Sequence, residues 1–401
     1  MKKRKIILCL EQALALPFAT QRMVHLGWRV IRIESPAEEN GGNAGDPNRY
    51  IGADLGYHDL HSYYIAPNIG KEAITINLKK KEGQDLLLKI IRELKVDVFM
   101  CNTLPKRYKQ LGIDYDTLKK VNPEIIWCAI SAMGPKYPEA AGYDPALQAL
   151  MGYTYLTGEP NGKPVPCGIP IIDLKAGDEA FTQVALAMLE KQNTGTGKEI
   201  HVSMAQCAAS WLITALPQLE FVENDNELFT RSGNEHRSFI PCNVYPTKDG
   251  MVYLAIGNDS QWSKFTSLKG FEKLSSPNRI TNEGRMKEKD TIYSEIGKLT
   301  ANYTTKEFAD LCKSINLSVA PVNTIKKVAS LDFIKSEMIN TNLPDGKTVS
   351  LFPSASPTEY LADKNYTLSC APRLGEQNNS VYAEIGISDL EINKLKTENI
   401  I

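Results

Sequence analysis

Several features that would assign a function class are missing from this sequence of 401 residues. No apolar stretch reaches the roughly 18 to 20 residues that a membrane-spanning helix needs. Basic and acidic residues are nearly equal in number, at 46 and 47, whereas nucleic-acid proteins and polybasic membrane binders need a concentrated cationic face. Residues 2–5 are basic and precede an apolar run, but Glu11 and Gln12 interrupt that run too early for a signal peptide. We therefore expect a cytoplasmic protein that binds neither membranes nor nucleic acids.

Metal-site and disulfide patterns are also missing. The eight cysteines are dispersed and form no CxxC pair. Most of them lie in apolar, strand-like runs, where a free cysteine behaves as a small hydrophobic side chain, so we expect reduced thiols. His58 and His61 have a spacing that two metal ligands could use, but the residues around them show no helical apolar pattern. No metal site is expected.

The common nucleotide-binding and hydrolase motifs are absent as well. No GxGxxG follows the first predicted strand, so a dinucleotide site is not expected. Residues 193–200 resemble part of a P-loop, but Gln192 stands in place of the first glycine and Glu199 in place of the Ser or Thr that binds Mg²⁺. Because GxSxG, HExxH and a convincing Cys/His pair are also lacking, carboxylates remain as the candidates for catalysis.

The apolar pattern predicts alternating strands and helices. "KIILCL", a helix over residues 14–26 and "RVIRI" form a β-α-β unit, which implies parallel strands. Further strands are predicted at "AITINL", "VDVFMC", "EIIWCAISAMG" and "KEIHVSM", with helices between them. This alternation predicts an α/β fold with an open, largely parallel, Rossmann-like sheet in a large lobe.

The chain is long enough to form two lobes, because a single core usually stops growing below this size. The pattern of apolar and polar residues changes near residue 222, where a polar connection over residues 222–240 leads to a predicted hairpin and helix. We expect a large α/β domain over 1–222, a small α+β domain over 223–325, and a return segment over 326–401 that completes the large domain. Residues 35–70 show no sustained period and are interpreted as a long loop, of a kind that is usually functional or packed by a partner. Residues 205–219 are interpreted as one helix.

One acid stands out at the end of an apolar run. The stretch "GIPIIDLKAGDEAF", residues 168–181, places Asp173 between that run and a helix that is predicted to begin just after it. An Asp in such a position commonly caps a helix N-terminus. A carboxylate can also act as a nucleophile. From the residues alone, the cap and the reagent both stay open.

Three stretches in fixed order carry a resemblance to a known family. They are "NTLPKRYKQLGIDYDTLKKVNPEIIWCAISAMG", "AAGYDPALQALMG" and "GIPIIDLKAG…LEKQNTGTGKEIHVSM". With "VIRIESP", "AITINLKKKEG", "DVFMCN", "YPTKDGMVYLAIGND" and "VAPVNTIKKV" the set extends over nearly the whole chain. Together these resemble the class III CoA-transferases, a superfamily that includes formyl-CoA transferase, carnitine CoA-transferase and 2-methylacyl-CoA racemase.

The resemblance implies a reaction. The transferases of this family move CoA from an acyl-CoA to a free carboxylate, and the Asp that matches Asp173 is their nucleophile, which passes through a mixed anhydride and an aspartyl-CoA thioester. A carboxylate with the reference pKa of about 3.9 is ionised at neutral pH without a general base. Since the thioester energy is conserved, we expect neither ATP nor a metal nor a tightly bound cofactor. Coenzyme A and acyl-CoA would be substrates, together with a small carboxylic acid.

The positions that match the family's substrate contacts are expected to bind acyl-CoA. They are Gln12 and Ala15 beside the reacting centre, Lys79 at a CoA phosphate, Asn102 and Thr103 along the adenine and pantetheine path, and Tyr143 and Met204 near the thioester. Lys106 and Arg107 do not match such contacts, but they lie close enough to replace positive charge that other positions have lost, and Arg107 is expected to bind CoA. Without the resemblance, Lys79 would be interpreted as a solvated lysine and Tyr143 as a core aromatic with a satisfied hydroxyl.

Three positions depart from the family's pattern. Ser35, Gln110 and Ala141 stand where relatives carry basic residues. No counterpart of the glycine-rich loop that covers the active site of the formyl-CoA enzyme is found in "RSGNEHRSFIPC". With the apolar Leu14 and Leu16 expected near the site, we favour a monocarboxylate, such as a 2-hydroxy, aryl or bile acid, over oxalate or formate.

Two other functions and the assembly stay open at this point. A 2-methylacyl-CoA racemase uses a His where this chain has Tyr143, and a phenol with a reference pKa near 10 is poorly matched to removing an α-proton. A non-catalytic acyl-CoA-binding subunit would use Asp173 merely as a helix cap. The resemblance further implies an interlocked homodimer.

Overall fold

A computed structural model describes residues 4–36, 42–221 and 229–401. The chain divides into two compact units. The first unit comprises Met1–Met151, Gly168–Thr214 and Asp332–Ile401, and the second comprises Gly152–Cys167 and Ala215–Leu331. Relative to the small domain expected over residues 223–325, the second unit takes in eight residues before that segment, six after it, and residues 152–167 as well.

The strands are numbered in chain order. They are β1 (Ile6–Leu10), β2 (Arg29–Glu34), β3 (Asp54–Tyr57), β4 (Leu60–His61), β5 (Glu72–Thr75), β6 (Val98–Cys101), β7 (Ile126–Ser131), β8 (Lys198–Ser203), β9 (Cys242–Thr247), β10 (Gly250–Ala255), β11 (Ser318–Pro321), β12 (Ile339–Asn342), β13 (Thr348–Leu351) and β14 (Thr367–Leu368).

The α-helices are numbered in the same way, and short 3₁₀ turns lie at Pro47–Tyr50, Pro105–Arg107, Glu272–Leu274 and Pro277–Arg279. The α-helices are α1 (Ala15–His25), α2 (Ser62–Asn68), α3 (Lys81–Glu93), α4 (Tyr115–Lys119), α5 (Asp144–Leu150), α6 (Tyr153–Leu156), α7 (Ile171–Thr194), α8 (Met204–Trp211), α9 (Leu216–Leu219), α10 (Asp259–Thr266), α11 (Asn282–Lys287), α12 (Lys289–Thr300), α13 (Thr305–Ser314), α14 (Ile325–Val328), α15 (Asp332–Lys335), α16 (Glu359–Asp363), α17 (Asn378–Glu384) and α18 (Asp389–Thr397).

A six-stranded parallel sheet in the order β5-β2-β1-β6-β7-β8 organises the first unit. Its strands are short and largely buried, as expected where helices cover both faces of a parallel sheet, except for the edge strand β8, whose Lys198, Glu199 and His201 are exposed. On one face, the apolar side of α3 packs on the strands together with α17 and α18. The expectation of an open α/β sheet is confirmed.

The other face of this sheet is covered by α1 and α7, which lie against each other. They approach so closely at Gly177 that a Cβ there would lie 2.6 Å from the carbonyl oxygen of Ala15. This contact is one helical turn beyond Asp173. The small size of residue 177 therefore fixes how near the start of α1 lies to the start of α7.

The second unit is built on the antiparallel sheet β11-β10-β9. Its core is aromatic, with Phe265, Phe271 and Phe308 fully buried. Helix α13 begins with a capping box in which Thr304 and Glu307 bind each other's backbone N–H groups. A further three-stranded sheet, β13-β12-β14, belongs to the first unit.

The structure differs from the sequence-based expectation in three segments. Residues 35–70 are not one loop, because they contain a 3₁₀ turn, the β3–β4 hairpin and α2. The helix expected over 205–219 ends at Trp211 and resumes only as the short α9, where Pro217 lacks a backbone N–H. Helix α7 begins two residues before Asp173 rather than after it. Of the expected connection over 222–240, residues 222–228 lie outside the described residues.

None of the helices in the described part of the chain combines the length and the apolar character that crossing a lipid bilayer requires. The eight cysteines are all free thiols, and six of them are buried. The six buried cysteines thus act as core side chains, as the apolar surroundings of most cysteines in the sequence predict.

Candidate active site

The parallel sheet reverses its direction of growth between β1 and β6. From β1 the chain adds β2 and β5 toward one edge, and from β6 it adds β7 and β8 toward the other. Open α/β sheets bind ligands beyond the carboxyl ends of the strands at such a point. The loops that follow these two strands start at Glu11 and at Asn102, and they form the centre of the candidate site.

Asp173 is the third residue of α7 and is partly buried. The first turn of a helix leaves backbone N–H groups that a capping side chain usually binds. In α7 the N-cap residue is Pro170, which offers no such side chain, and the N–H groups of Ile172 and Asp173 instead donate to Oδ2 of Asp144 at 2.7 and 3.0 Å. The interpretation of Asp173 as the cap of its own helix is therefore wrong. Among the described residues, its carboxylate has no hydrogen-bond partner.

A cavity of about 250 Å³ opens beside Asp173, and we call it the first cavity. Its walls come from the loops after β1 and β6, the carboxyl end of β7, residues 140–143 and Met204 at the start of α8. Among the described residues that line it, Asp173 carries the charge and the others are neutral. A carboxylate in such surroundings is poorly solvated, which increases its reactivity when ionised.

A second cavity of about 280 Å³ adjoins the first. The two share Gln12, Asn102, Thr103 and Leu104, so they form one groove along the carboxyl edge of the sheet. The second cavity adds the basic residues Lys79 and Arg107, and also Glu11, whose buried carboxylate is paired with Lys71. The groove therefore runs from an acidic, otherwise neutral end at Asp173 to an end with positive charge, where an anionic group is favoured.

Asn102 joins the two loops at the centre of the groove. Its side-chain amide donates to the carbonyl of Gln12 at 2.7 Å, and its amide oxygen accepts the backbone N–H of Gln12 at 3.1 Å. A pair of bonds to one residue fixes both the position and the orientation of that residue. Asn102 thus sets the geometry of the loop after β1.

The next residue in this loop, Ala13, has a positive φ of 60°, which is unusual for a residue with a Cβ. Its N–H donates to Oδ1 of Asp46 at 3.1 Å, and its carbonyl accepts from Nδ2 of Asn48 at 2.8 Å. A left-handed non-glycine residue costs about 1 to 2 kcal/mol, so these bonds must compensate for it. Because Ala13 lines the first cavity, this constrained backbone is part of the site.

A buried ion network supports the same loop. Arg32 binds Asp46 at 2.9 Å, and Lys71 binds Glu11 at 2.7 Å, with all four side chains buried. Burial alone would raise the pKa of the Glu11 carboxyl, but the charges of Lys71 and Arg32 outweigh it and hold that pKa below its usual range. Removing one partner of such a pair leaves an uncompensated buried charge and costs about 3 to 5 kcal/mol. The network therefore keeps the loop after β1 in one conformation.

The surroundings of Asp173 change its protonation. Burial, and secondarily the charge of Asp144, raise the pKa of Asp173 to about 7. This result corrects the expectation from the reference pKa that the carboxylate is almost wholly ionised at neutral pH. Protonated and ionised Asp173 therefore coexist near pH 7, and the ionised form is a stronger base than an ordinary carboxylate.

No group of three or more His, Cys, Asp and Glu side chains converges as a metal site would need, within the residues that the structure describes. His58 packs edge-on against Tyr50, and Nδ1 of His61 bonds the carbonyl of Arg49 at 2.7 Å. These contacts account for the histidine pair of the β3–β4 hairpin without a ligand.

Comparison with known proteins now identifies the family. The family model described as CoA-transferase family III matches residues 5–378. The chain belongs to CoA-transferase family III. The resemblance that the motifs indicated is thereby confirmed.

Named relatives of this family III chain cover nearly its whole length. It is 28% identical to the succinate–glutarate CoA-transferase of Agrobacterium fabrum, over 94% of this chain and 93% of the relative. It is 26% identical to the formyl-CoA:oxalate CoA-transferase of Streptomyces avermitilis, over 96% of this chain and 95% of the relative. A crystal structure of a CaiB/BaiF family protein from Brucella suis has the same fold, with a TM-score of 0.81 and 26% identity. The match covers 95% of this chain and 98% of the Brucella chain.

The site residues that the sequence predicts for a family III enzyme lie along the groove. The first cavity is lined by Gln12, Ala15, Asn102, Thr103, Tyr143, Asp173 and Met204, and the second by Lys79 and Arg107 together with Gln12, Asn102 and Thr103. Tyr143 is 79% exposed, so its interpretation as a core aromatic is wrong. Lys106 does not line either cavity and pairs with Glu139 at 2.5 Å.

Two further expectations concern positions around the groove. Ser35 and Gln110 line the second cavity and Ala141 lines the first, so the three departures from the family's basic residues all fall in the groove. Leu16 is fully buried and Leu14 lines neither cavity. Both leucines are next to the cavity-lining residue Ala15 in the sequence, but neither contributes to the described cavity walls, since α1 turns Leu16 into the core.

Sequence reasoning missed the residues that hold the site together. Asp144 follows Tyr143 in the "GYDP" motif, and its Asp-Pro pair at a helix start was a signal that could have found it. The roles of Asp46 and Asn48 had no comparable signal, because their partner Ala13 lies more than 30 residues away in the sequence.

Proposed function

We propose that this chain transfers CoA from an acyl-CoA to a free carboxylate, with the Asp173 carboxylate as the nucleophile. The observation that carries the proposal is that Asp173 lines the first cavity while Asp144 binds the N–H groups of the helix turn. The Asp173 carboxylate is thus available for chemistry. Membership of family III and the names of the relatives support the same class of reaction.

In the first half of the reaction, ionised Asp173 attacks the thioester carbonyl of the acyl-CoA. A C–O bond forms, the C–S bond breaks, and CoA leaves as the thiolate, which gives a mixed anhydride of Asp173 and the acyl group. The thiolate then attacks the aspartyl carbonyl of the anhydride. The donor acid leaves as a carboxylate, and Asp173 now carries CoA as a thioester.

In the second half, the acceptor carboxylate attacks the aspartyl-CoA thioester and expels the CoA thiolate, which gives a new anhydride. The thiolate attacks the acceptor's carbonyl, and the products are the new acyl-CoA and the Asp173 carboxylate. Each step exchanges one acyl bond for another, so no hydrolysis of ATP is required. Water must be kept from both intermediates, which the restricted first cavity favours.

The groove suits an extended acyl-CoA with its thioester at Asp173. Lys79 and Arg107 would bind phosphate groups in the second cavity, and the polar residues shared by both cavities would line the pantetheine. Ala15 is the first residue of α1, so its backbone N–H has no partner within the helix and can donate to a developing oxyanion. Tyr143 and Met204 would flank the reacting carbonyl.

The acid that accepts CoA would be a monocarboxylate. The relatives named above act on succinate, glutarate and oxalate, all of which carry a second carboxylate. A second carboxylate near Asp173 needs a cation, but Lys, Arg and His are absent from the described lining of the first cavity, and Ala141 stands where a basic residue is found in the formyl-CoA enzyme. We therefore propose a neutral acyl group, such as a 2-hydroxy or aryl acid.

We also propose that the protein is a homodimer in the cytoplasm. Five large apolar side chains of the first unit, Leu150, Leu186, Leu189, Trp211 and Ile213, are exposed in the single chain, and a partner subunit would cover them. Eight free thiols suit a reducing compartment. Sedimentation of the purified protein, which should give about twice the mass of 44.5 kDa, tests the dimer.

The experiment that tests the transferase is mass spectrometry of the protein after incubation with a panel of acyl-CoAs and free acids. Hydroxylamine added during turnover should convert the activated carboxylate to a hydroxamate, and peptide mapping should place it at Asp173. D173A should give no hydroxamate and no new acyl-CoA. D178A is the matched control, since Asp178 lies on the same helix but pairs with Arg22.

Three outcomes separate the candidate functions. New acyl-CoA species with the Asp173 hydroxamate support the transferase. Deuterium uptake at Cα of an acyl-CoA, with no change of acyl partner, would indicate a racemase instead. Tight CoA binding that is equal in wild type and D173A, with an unchanged CoA pool, would indicate a binding subunit.

A further inference from the structure

Asp144 occupies an unusual place beside the proposed nucleophile. It is the first residue of α5 and is only 4% exposed. Its Oδ2 accepts both Ile172 N–H at 2.7 Å and Asp173 N–H at 3.0 Å, while its Oδ1 accepts from Nε2 of Gln148 at 2.5 Å. One carboxylate thus joins the start of α5 to the first turn of α7.

This arrangement is more than a helix cap requires. A Ser, Thr or Asp at the N-cap position would satisfy the same N–H groups locally and stabilise the helix by about 1 kcal/mol. The chain has Pro170 there, and the capping oxygen comes instead from a residue 29 positions before Asp173. Asp144 therefore fixes the position of the Asp173 backbone relative to Tyr143, which precedes Asp144 in the sequence and lines the first cavity.

Asp144 also places a second carboxylate next to Asp173. Its negative charge opposes ionisation of Asp173 and so adds to the effect of burial in raising the pKa of Asp173. A more basic carboxylate is a stronger nucleophile toward a thioester once it is ionised.

Other charged and titratable groups lie on α7 and on neighbouring helices. They are Tyr63 on α2, Arg22 on α1, Lys175, Asp178 and Glu179 on α7 itself, and Cys207 on α8. Arg22 pairs with Asp178, and Lys175 pairs with Glu179 at 2.9 Å, so these charges largely cancel. Burial, with the charges of Asp173 and Asp144, raises the pKa of Tyr63, and burial raises the pKa of Cys207, so both stay neutral near pH 7.

We propose that Asp144, anchored by Gln148, is a positioning residue of the active site that holds the nucleophile Asp173 through the backbone of α7 and acts on it as a second, permanently buried carboxylate. The proposal rests on the proposed function of Asp173. It assigns Asp144 an effect on the reaction rate and on its pH dependence, which a residue with a merely structural role would not have.

Three variants separate the two parts of this role. D144N removes the charge but keeps an oxygen that can accept the two N–H groups, and the amide of Gln148 can turn to present its oxygen to the new NH₂ group. D144A removes both the charge and the acceptor. Q148A removes the anchor and leaves the charge, so it is the matched control for the electrostatic effect.

The first readout is the titration of Asp173 itself in the unliganded protein. Carboxyl-¹³C-labelled Asp gives one resonance for each carboxyl, and D173N identifies the relevant one. In D144N the Asp173 midpoint should move to lower pH. The change should be less than half of the difference between the wild-type midpoint and the reference pKa of Asp, because burial is the larger cause of that difference. In Q148A the midpoint should stay near the wild-type value.

The second readout is the pH profile of acyl transfer. The acid limb of kcat/KM should move to lower pH in D144N and not in Q148A. D144A should lose about 100-fold in kcat with a much smaller change in KM for acyl-CoA, since misplacement by about 1 Å has that effect. Folding of each variant is checked by its near-UV spectrum.

The outcomes decide between the alternatives. An Asp173 midpoint in D144N equal to that of wild type would overturn the electrostatic part, and wild-type kcat in D144A would overturn the positioning part. If wild type transfers no CoA to any acid, the proposed function fails, but the titration still decides whether Asp144 acts on Asp173. A shifted midpoint with intact transfer supports the proposal in full.

Discussion

Replacing Asp173 by Asn should stabilise the unliganded protein, and the gain should be larger at pH 8 than at pH 5. The raised pKa means that the folded state binds the Asp173 proton more tightly than the unfolded chain does. In wild type, the contribution of this proton to the free energy of unfolding is therefore fully present below about pH 4, and it is lost as the pH rises through about 7. Asn is neutral at every pH and avoids this loss.

The size of the effect follows from the two pKa values. A rise from the reference value of about 3.9 to about 7 corresponds to roughly 4 kcal/mol at high pH, at 1.36 kcal/mol for each pKa unit. Because Asp173 is partly exposed to the cavity, water reduces this figure, and we expect about 2 to 4 kcal/mol. Between pH 5 and pH 8, the advantage of D173N should grow by about 2 kcal/mol.

The assay is urea unfolding of wild type and D173N at pH 5, 6, 7 and 8, followed by the fluorescence of the tryptophans, one of which, Trp127, is buried in the core of the first unit. D178N is the matched control, because Asp178 lies on the same helix with its carboxylate paired to Arg22 near the surface. It removes a carboxylate from the same helix but leaves the lining of the first cavity unchanged. A gain in D173N that is constant over this range, or largest at pH 5, would refute the reasoning.

Three other predictions test the groove. Wild-type kcat/KM should fall with decreasing pH below about 7, because only the ionised nucleophile reacts. G177A should lose about 1 to 3 kcal/mol of stability and also lose activity, because its Cβ would lie 2.6 Å from the Ala15 carbonyl oxygen. The control G297A, whose Cβ would lie 3.8 Å from its nearest neighbour, should be neutral or stabilising, and thermal unfolding of both variants measures the difference. N102A should raise KM for acyl-CoA and lower kcat by freeing the loop after β1, while N122A, which loses two backbone hydrogen bonds elsewhere, should affect only stability.

The sheet and its helices could be predicted because each element carries its own signal. Five of the six strands of the parallel sheet are largely buried, and α3 shows its core face as a periodic pattern that needs no information from distant residues. The position of the groove then follows from the topology, since the strand order reverses between β1 and β6. The candidate site residues came from the ordered motifs, and their roles stay predictions until the variants are measured.

The segment over residues 35–70 could not be predicted, because long-range charge pairs rather than an apolar period determine its structure. Arg49 of the 3₁₀ turn binds Glu34 of β2 at 2.5 Å, and both are buried. Burial alone would raise the pKa of Glu34, yet the charges of Arg32 and Arg49 lower it to about 2. In the sequence each of these residues looks like an ordinary surface charge, since nothing local marks it as buried.

The protonation of Asp173 shows the same limit at the level of chemistry. Residue type supplies a reference pKa, and from that value the nucleophile would be ionised and ready at neutral pH. The actual proton affinity depends on how much water reaches the carboxylate and on a second carboxylate 29 positions earlier in the chain, neither of which the sequence specifies. The ordered family motifs therefore predict which residue reacts, whereas the pKa of its carboxyl depends first on burial and second on the charge of Asp144.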